Sequence, residues 1–452
     1  MIKNMFDHMK MTVSDLQPVH KVGRVTGVAG GTVLVGNVVD SARVGDRAVI
    51  TLDDRQMRGE VVKLDQHAVY LLMAGEPEGV SIGDRVVFTK RPRFAPDRSW
   101  IGRVIDPDGN PMDGRPLLHG LEERGMRCNP PAAHARRAMG ARLETGLAVF
   151  NTLLPIVQGQ RIGLFAGSGV GKSTLIADLA KGVAADVIVI ALVGERGREL
   201  RHFVEEVLGE EGMKRAVIVA ATSDRSPQMR RQCAWAATAI AEHFRDQGDQ
   251  VLLLIDSITR FCEAHREVAV AGGEAANLRG YPASTGPAIA ALCERAGPGL
   301  PDTGDITAVF SVLVAGSDME EPVADMLRGV LDGHIVLDRQ IAERGQFPAI
   351  DVLRSVSRAL PAAANDKENE MIGQARAHLG TYDRAALMIQ SGLYTAGSDK
   401  EVDAAIQCNA ALNAFLTIKD KRGTLAHFAK LRQAMIGGPK RMVPEDLQKT
   451  AG

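Results

Sequence analysis

Aromatic residues and cysteines are both scarce in this chain. Phe, Trp and Tyr together make up 4% of the 452 residues, so a surface that binds nucleic acid by base stacking is not expected. The five cysteines are scattered, odd in number and without CxxC spacing, which argues against a disulfide framework or a zinc site and favours a reducing cytoplasm. The net charge of -1 predicts no general attraction to nucleic acid or to acidic membranes.

Long apolar runs are missing as well. No stretch of about 18 apolar residues is present, so no membrane-spanning helix is expected. Residues 1–20 lack the apolar core and cleavage site of a signal peptide. If this leader is helical, it forms one apolar stripe that could bind a partner, and a frayed terminus is the alternative. The stripe would consist of Met1, Met5 and Met9, with Ile2 and Phe6.

The length predicts two or three domains, and the sequence patterns assign each a fold. Residues 21–95 contain short β-rich runs between glycine turns, which indicates a small β-barrel with a role in assembly. In residues 96–365, apolar strands alternate with helices, as in a parallel sheet covered by helices on both faces. Residues 366–452 have helical periodicity and predict a helical C-terminal domain. The fold class is therefore a multidomain protein with an α/β core.

The central feature of the α/β region is a phosphate-binding loop. Residues 166–173 (AGSGVGKS) follow an apolar strand and precede a helical stretch, with Ala166 where the usual pattern has glycine. Glycines let successive N–H groups point at one anion, and the helix start adds the positive end of its dipole. We predict that ATP is bound here by Gly167, Ser168, Gly169, Val170, Gly171, Lys172, Ser173 and Thr174.

Two carboxylates follow predicted strands at the same edge of this sheet. Glu195, after the strand 187–193, can orient and polarise an attacking water and is the predicted general base. Asp256 ends the apolar run 251–255 and would hold Mg²⁺ through water, while the Ser173 hydroxyl ligates the ion directly. The sequence thus predicts both ATP and Mg²⁺ in one site.

Several arginines could act on the same phosphates, and their spacing does not separate them. Arg196 or Arg198 could contact the carboxylate or the phosphates, and Arg260 could bridge Asp256 or Glu195 or form a structural salt bridge. Phosphoryl transfer needs cationic charge on the γ-phosphate, which a late arginine can supply. Arg354 and Arg358 are both candidates for that role, and either could instead form an ordinary salt bridge.

With these motifs assembled, the chain resembles the rotary-type hexameric ATPases over nearly its whole length. Within that family it is most similar to the flagellum-specific type III secretion export ATPases, with the virulence injectisome ATPases next. The matching segments are 163–173 (GLFAGSGVGKS), 194–199 (GERGRE), 256–261 (DSITRF), 321–325 (EPVAD), 333–337 (GHIVL) and 347–358 (FPAIDVLRSVSR).

The resemblance implies roles for individual residues. Lys172 and Ser173 would bind phosphate and Mg²⁺, Glu195 would be the catalytic carboxylate and Asp256 the second metal residue. The resemblance also implies that Arg358 is the arginine finger, which reaches into the site of the neighbouring subunit.

The resemblance also implies a nucleotide-base pocket. Phe347 takes the place of an aromatic residue that stacks on adenine, and a C-terminal residue near Phe415 would close the pocket. One departure from the family pattern falls at Ala275-Ala276-Asn277-Leu278, in a loop that faces the central pore in relatives. Contacts with a stalk or a substrate would be altered there.

The implied assembly is a homohexamer at the cytoplasmic face of an export gate, peripheral to the inner membrane. Its implied partners are a peripheral stalk regulator at the N-terminus, a central stalk protein, and export substrates with their chaperones. No nucleic acid is expected. The alternatives are an injectisome ATPase, a catalytic ATP synthase subunit, a non-catalytic ring subunit and an RNA-translocating hexamer. Glu195 argues against the non-catalytic subunit, and the scarcity of aromatics argues against the RNA translocase.

Overall fold

The N-terminal part of the structure is a six-stranded closed barrel with strand order β1-β2-β5-β4-β3-β6. The computed structural model describes residues 19–29, 31–89, 94–314 and 319–436. Every second side chain of a strand points into the barrel core, as those of Ala48 and Ile50 in β3 do. The predicted barrel is confirmed. Its strands are β1 (Lys21–Ala29), β2 (Thr32–Gly36), β3 (Arg47–Thr51), β4 (Gln56–Leu64), β5 (Val69–Met73) and β6 (Arg85–Thr89).

The central part is built on an eight-stranded sheet with order β16-β15-β8-β14-β11-β9-β10-β7. All neighbouring strands are parallel except the pair β15 and β16, which is antiparallel. The sheet strands are β7 (Arg103–Ile105), β8 (Arg161–Ala166), β9 (Val187–Val193), β10 (Ala216–Ala221), β11 (Val251–Asp256), β14 (Ile306–Leu313), β15 (Gly333–Leu337) and β16 (Ile350–Ser357). A separate hairpin pairs β12 (Ala276–Leu278) with β13 (Tyr281–Pro282).

Helices cover both faces of the sheet, and alternate strand residues point into two apolar clusters. In β9, Ile188 and Ile190 belong to one cluster, while Val187 and Val189 belong to the other. The central helices are α1 (Ala148–Asn151), α2 (Lys172–Gly182), α3 (Gly197–His202), α4 (Gly209–Met213), α5 (Pro227–Asp246), α6 (Ile258–Ala271), α7 (Thr285–Cys293), α8 (Pro322–Val330) and α9 (Arg339–Glu343). A π-helical segment (Phe203–Leu208) joins α3 to α4, and short 3-10 turns lie at Arg98–Trp100 and Ala133–Ala135.

The C-terminal region is helical, as predicted, and packs directly on the central sheet. It consists of α10 (Asp366–Gln390), α11 (Lys400–Leu416) and α12 (Gly423–Met435). A capping box starts α10: the Asn365 side chain accepts the Glu368 N–H at 3.0 Å, and the Glu368 carboxylate accepts the Asn365 N–H at 3.3 Å. Leu412 and Leu431 of these helices share one buried apolar cluster with β8 and β9. The C-terminal helices and the central sheet therefore share one packed core.

The central sheet is parallel, as predicted, except at one edge, where β16, a strand that the sequence patterns did not indicate, runs antiparallel to β15. The mixed apolar and polar pattern of residues 350–357 does not reveal strand direction.

The segment 275–278, where the sequence departs from the family pattern, lies at the hairpin β12–β13. The predicted leader stripe within residues 1–20 lies outside the described residues. None of the helices in the described ranges is long and apolar enough to cross a membrane.

Candidate functional site

The phosphate-binding loop joins β8 to α2, as the sequence predicts. Gly169 and Gly171 have φ values of 77° and 86°, a left-handed conformation that side chains with a Cβ rarely adopt. Gly167 is not in that conformation, so a left-handed backbone requires glycine at only two of the three glycine positions in the loop. Buried Val170 anchors the loop, while Ser168 and the first-turn residues Ser173 and Thr174 are exposed.

Phe347 lies directly over this loop. A Cβ added to Gly171 would be 3.2 Å from Cδ1 and 3.3 Å from Cε1 of the Phe347 ring. Phe347 is 44% exposed, so apolar surface is open to a ligand beside the loop. Phe347 precedes β16, and the antiparallel direction of that strand is what brings its first end level with the loop.

The predicted phosphate-binding and acidic side chains come together at the carboxyl ends of the strands. The Lys172 ammonium contacts the Asp256 carboxylate, and its Nζ is 4.0 Å from Glu195 Oε1. Buried Asp256 also accepts a hydrogen bond of 2.6 Å from the Ser311 hydroxyl. Sequence reasoning missed Ser311; its signal is a polar residue inside the otherwise apolar strand β14.

Glu195 has an unusual protonation equilibrium. Burial raises the pKa of its carboxyl to about 7, and a hydrogen bond with Glu199 and the charge of Asp256 act in the same direction. The Lys172 ammonium acts in the opposite direction, toward a lower pKa. A carboxylate with a pKa near neutrality is suited to accept a proton from water. Glu199 was missed as a functional residue, although it lies only four residues after Glu195, in the first turn of α3.

The structure does not place the guanidinium groups of Arg196 and Arg260 against Glu195 or Asp256. Arg196 is 75% exposed on its side chain, and its Nη1 is 3.6 Å from Glu199 Oε1. The Arg260 stem packs against Gly194, next to Glu195, but its guanidinium donates to Glu263 at 2.8 Å. Of the two possibilities for Arg260, the structural salt bridge is formed, with Glu263 one turn further along the same helix, and the bridge to Asp256 or Glu195 is not.

Arg358 follows the end of β16 and lies level with the amino ends of the parallel strands, whereas the phosphate loop of its own chain lies at their carboxyl ends. The register pairs Leu337 with both Ala166 and Ile350, so the start of β16 is level with the loop. The Arg358 backbone N–H donates to the Asp332 backbone carbonyl at 3.0 Å, and the Asp332 N–H donates to the carbonyl of Arg161, the first residue of β8. From there to Ala166 the strand spans roughly 17 Å, further than an arginine side chain extends.

Arg354, the other late arginine, lies near an acidic side chain, and Phe415 is part of the core. Arg354 Nη1 is 3.8 Å from Asp338 Oδ2. Phe415 is only 2% exposed and belongs to the apolar core, so it does not itself line the base pocket. The loop before Phe347 is instead tied to α11 by Gln346, whose side-chain amide donates to the Asn413 carbonyl at 3.0 Å.

The donor chemistry at the loop fits a magnesium ion that shares its ligands with a nucleotide. The described residues contain no group of three or more His, Cys, Asp or Glu side chains that could hold a metal alone. Mg²⁺ is commonly held by one or two protein oxygens together with substrate phosphates and waters. The Ser173 hydroxyl at the start of α2 and the Asp256 carboxylate at the end of β11 match that donor set.

Comparison with known proteins gives consistent matches over most of the chain. Residues 146–357 match the nucleotide-binding domain of the ATP synthase alpha/beta family, and residues 364–435 match the type III secretion EscN ATPase C-terminal domain. The chain is 43% identical to a flagellum-specific ATP synthase of Caulobacter vibrioides, covering 91% of this chain and 95% of that protein.

Two solved structures of the assembled ATPase EscN from the enteropathogenic E. coli type III secretion system also match. Each is 35% identical in sequence and covers 91% of this chain and 100% of the solved chain. The TM-scores are 0.84 for assembled EscN and 0.81 for EscN in complex with its central stalk EscO.

Proposed function

This chain belongs to the ATP synthase alpha/beta family and is an ATPase, and from that premise we propose that it hydrolyses MgATP in a ring that energises flagellar protein export. The observation that carries the proposal is the position of the charged groups. Lys172, Glu195 and Asp256 meet at one edge of the sheet, whereas Arg358 lies at the other. In this proposal each site needs a second protomer, and a closed ring supplies one to every site.

In this proposal each side chain has a definite task. Backbone N–H groups of the loop hold the polyphosphate, and the Lys172 ammonium contacts the β- and γ-phosphates in exchange for its contact with Asp256. Glu195 accepts the proton of the attacking water. Arg358 of the adjacent protomer stabilises the charge that develops on the γ-phosphate. Phe347 stacks on the adenine ring.

Ser173 and Asp256 would hold the magnesium ion, Asp256 through water. When bound, Mg²⁺ neutralises charge on the phosphate oxygens. Arg196 and Arg260 are assigned lesser roles: Arg196 fixes Glu199, and Arg260 shields one side of Glu195. We also propose that domains begin at residues 21, 96 and 366. The N-terminal β-barrel is then the domain that assembles the ring.

Glu199 is expected to set the pH dependence of hydrolysis. Because Glu195 must be ionised to accept a proton, kcat/KM should rise with pH through about 7, the pKa of that carboxyl. Glu199→Gln removes a negative charge and a hydrogen bond that raise this pKa, so the acidic limb should move to lower pH. The measurement is kcat/KM from pH 5.5 to 9 for wild type, Glu199→Gln and the exposed control Glu206→Gln. An unmoved limb in Glu199→Gln, or an equal shift in Glu206→Gln, contradicts the assignment.

The rate per protomer is expected to depend on protein concentration. A single chain lacks the arginine of its own site, so dilution below the assembly midpoint should remove nearly all turnover. The test pairs ATPase rates over a dilution series with sizing runs on the same samples, with and without a nonhydrolysable ATP analogue. A rate per protomer that stays constant where sizing finds monomers contradicts the proposal.

The partners follow from the ring. We propose a central stalk protein in its pore, by similarity to EscN with its stalk EscO, and a peripheral stalk regulator at the N-terminus. Export gate, export substrates and chaperones complete the set, at the cytoplasmic face of the inner membrane. The chain is 43% identical to a flagellum-specific ATP synthase and 42% identical to a type III secretion system ATPase, so the flagellar system is the first candidate and an injectisome the second. Copurification of a flagellar or an injectisome regulator with the full chain distinguishes them.

A further inference from the structure

The strand that carries Arg358 contains a large bulge just before it. Val336 pairs with Asp351 and His334 pairs with Val356, so two steps along β15 correspond to five along β16. Residues 352–355 lie opposite the single residue Ile335, an excess of three residues, and they are called the bulge below. Bulges bend a strand and redirect the side chains that follow, and they are frequent beside active sites. The bulge ends three residues before Arg358, and the two residues between them, Val356 and Ser357, pair with His334 and Gly333 of β15.

The bulge has lost ladder hydrogen bonds, and side chains replace them. The Asp351 carboxylate accepts the N–H groups of Leu353 and Arg354, both at 3.0 Å. The Ser355 hydroxyl accepts the Val336 N–H at 2.9 Å and donates to the Asp351 carbonyl at 2.5 Å. These contacts come from β15 and β16 themselves and fix the bulge locally.

One further contact comes from the C-terminal helices. Arg376 of α10 donates from Nη2 to the Ser355 carbonyl at 3.2 Å and to the Leu353 carbonyl at 3.5 Å. These are carbonyls on the outer, unpaired side of an edge strand. Arg376 is half-buried, and burial lowers its pKa, with the Asp351 charge acting in the opposite direction. A guanidinium suits this place because its Nη2 carries two N–H groups, which can serve two carbonyls at once.

We propose that Arg376 is a positioning residue for Arg358 and couples the C-terminal helices to hydrolysis in the adjacent protomer. A displacement of α10 pulls on the bulge through Arg376, and the bulge re-aims Arg358 toward or away from the neighbouring phosphates. The inference rests on the proposed function, since it needs Arg358 to complete a site in trans. It adds a regulatory path: a partner that moves α10 changes turnover one protomer away.

The test replaces Arg376 in the full-length chain. Arg376→Gln should lower kcat by on the order of 10-fold to 100-fold, the cost of a misplaced catalytic group. KM and the affinity for a fluorescent ATP analogue should stay unchanged, because the phosphate loop of the same protomer is untouched. Arg376→Lys keeps the positive charge and N–H donors on one nitrogen, and it should retain more of kcat. The matched control is Arg384→Gln on the same helix, where the exposed arginine donates only to Thr381 among the described residues.

A double variant separates positioning from general destabilisation. If Arg376 acts through Arg358, Arg376→Gln should cause little further loss of single-turnover rate in an Arg358→Ala background. Losses that multiply, or wild-type kcat in both Arg376 variants, overturn the inference. A kcat loss in both variants that merely follows reduced ring assembly on sizing overturns it too. An unimpaired Arg358→Ala contradicts the proposed function itself, whereas an impaired Arg358→Ala beside an unimpaired Arg376→Gln contradicts only this inference.

Discussion

Glu195→Gln is expected to lower kcat by about 10²–10⁴-fold while ATP still binds. Glutamine keeps the size of the side chain but cannot accept the proton of the attacking water. The contacts that hold the polyphosphate come from the loop and Lys172, so nucleotide affinity should change little. Removing one of the two carboxylates near the Lys172 ammonium frees that ammonium for phosphate and should, if anything, tighten binding.

The measurement combines steady-state turnover with equilibrium binding of a fluorescent ATP analogue. Glu206→Gln serves as the control, because this carboxylate is exposed and pairs with His202 one turn earlier on the same segment. Turnover near wild type in Glu195→Gln would remove this residue from the role of general base. Loss of binding together with turnover would instead make it part of the phosphate pocket.

Arg358→Ala is expected to have a comparable or larger effect, a loss of about 10³–10⁵-fold in kcat. The missing charge is one that the transition state needs more than the ground state, so KM should change much less than kcat. Nucleotide affinity of isolated protomers should not change at all, because Arg358 lies roughly 17 Å along the sheet from the loop of its own chain.

Arg354→Ala is the comparison that the sequence alone leaves open. The Arg354 guanidinium approaches Asp338 at the loop edge of the same chain. Its removal should cost far less turnover than removal of Arg358. The pair of variants is measured in the same assembled state, with ring formation monitored by sizing. A larger loss in Arg354→Ala than in Arg358→Ala would exchange their assignments.

Most of the fold could be predicted because its signals are local. The loop 166–173, the apolar strands and the helical C-terminal region each have a pattern within one segment. The family and the ATPase activity predicted from the motifs are confirmed by the comparisons. The carboxyl ends of parallel strands meet at one edge, and therefore Lys172, Glu195 and Asp256 could be expected to lie close together.

What the sequence could not reveal depends on tertiary contacts. The direction of β16 is set by its pairing with β15, and it separates Phe347 from Arg358 by the length of a strand. Ser311 contacts Asp256 across two neighbouring strands, and Glu199 reaches back to Glu195 across a turn. The sequence places both Glu195 and Glu263 near Arg260, and only the folded helix shows that the Arg260 guanidinium donates to Glu263.

The central claim is that each site takes its general base from one protomer and its arginine from the next. The most direct test mixes Glu195→Gln chains with Arg358→Ala chains, each nearly inactive alone, and measures the ATPase rate of reassembled rings. We predict recovery of up to about a quarter of the wild-type rate in an equal mixture, since one interface in four then joins an intact Glu195 to an intact Arg358. If the mixture is no more active than its components while mixed rings form, the two residues act within one chain and the account is wrong.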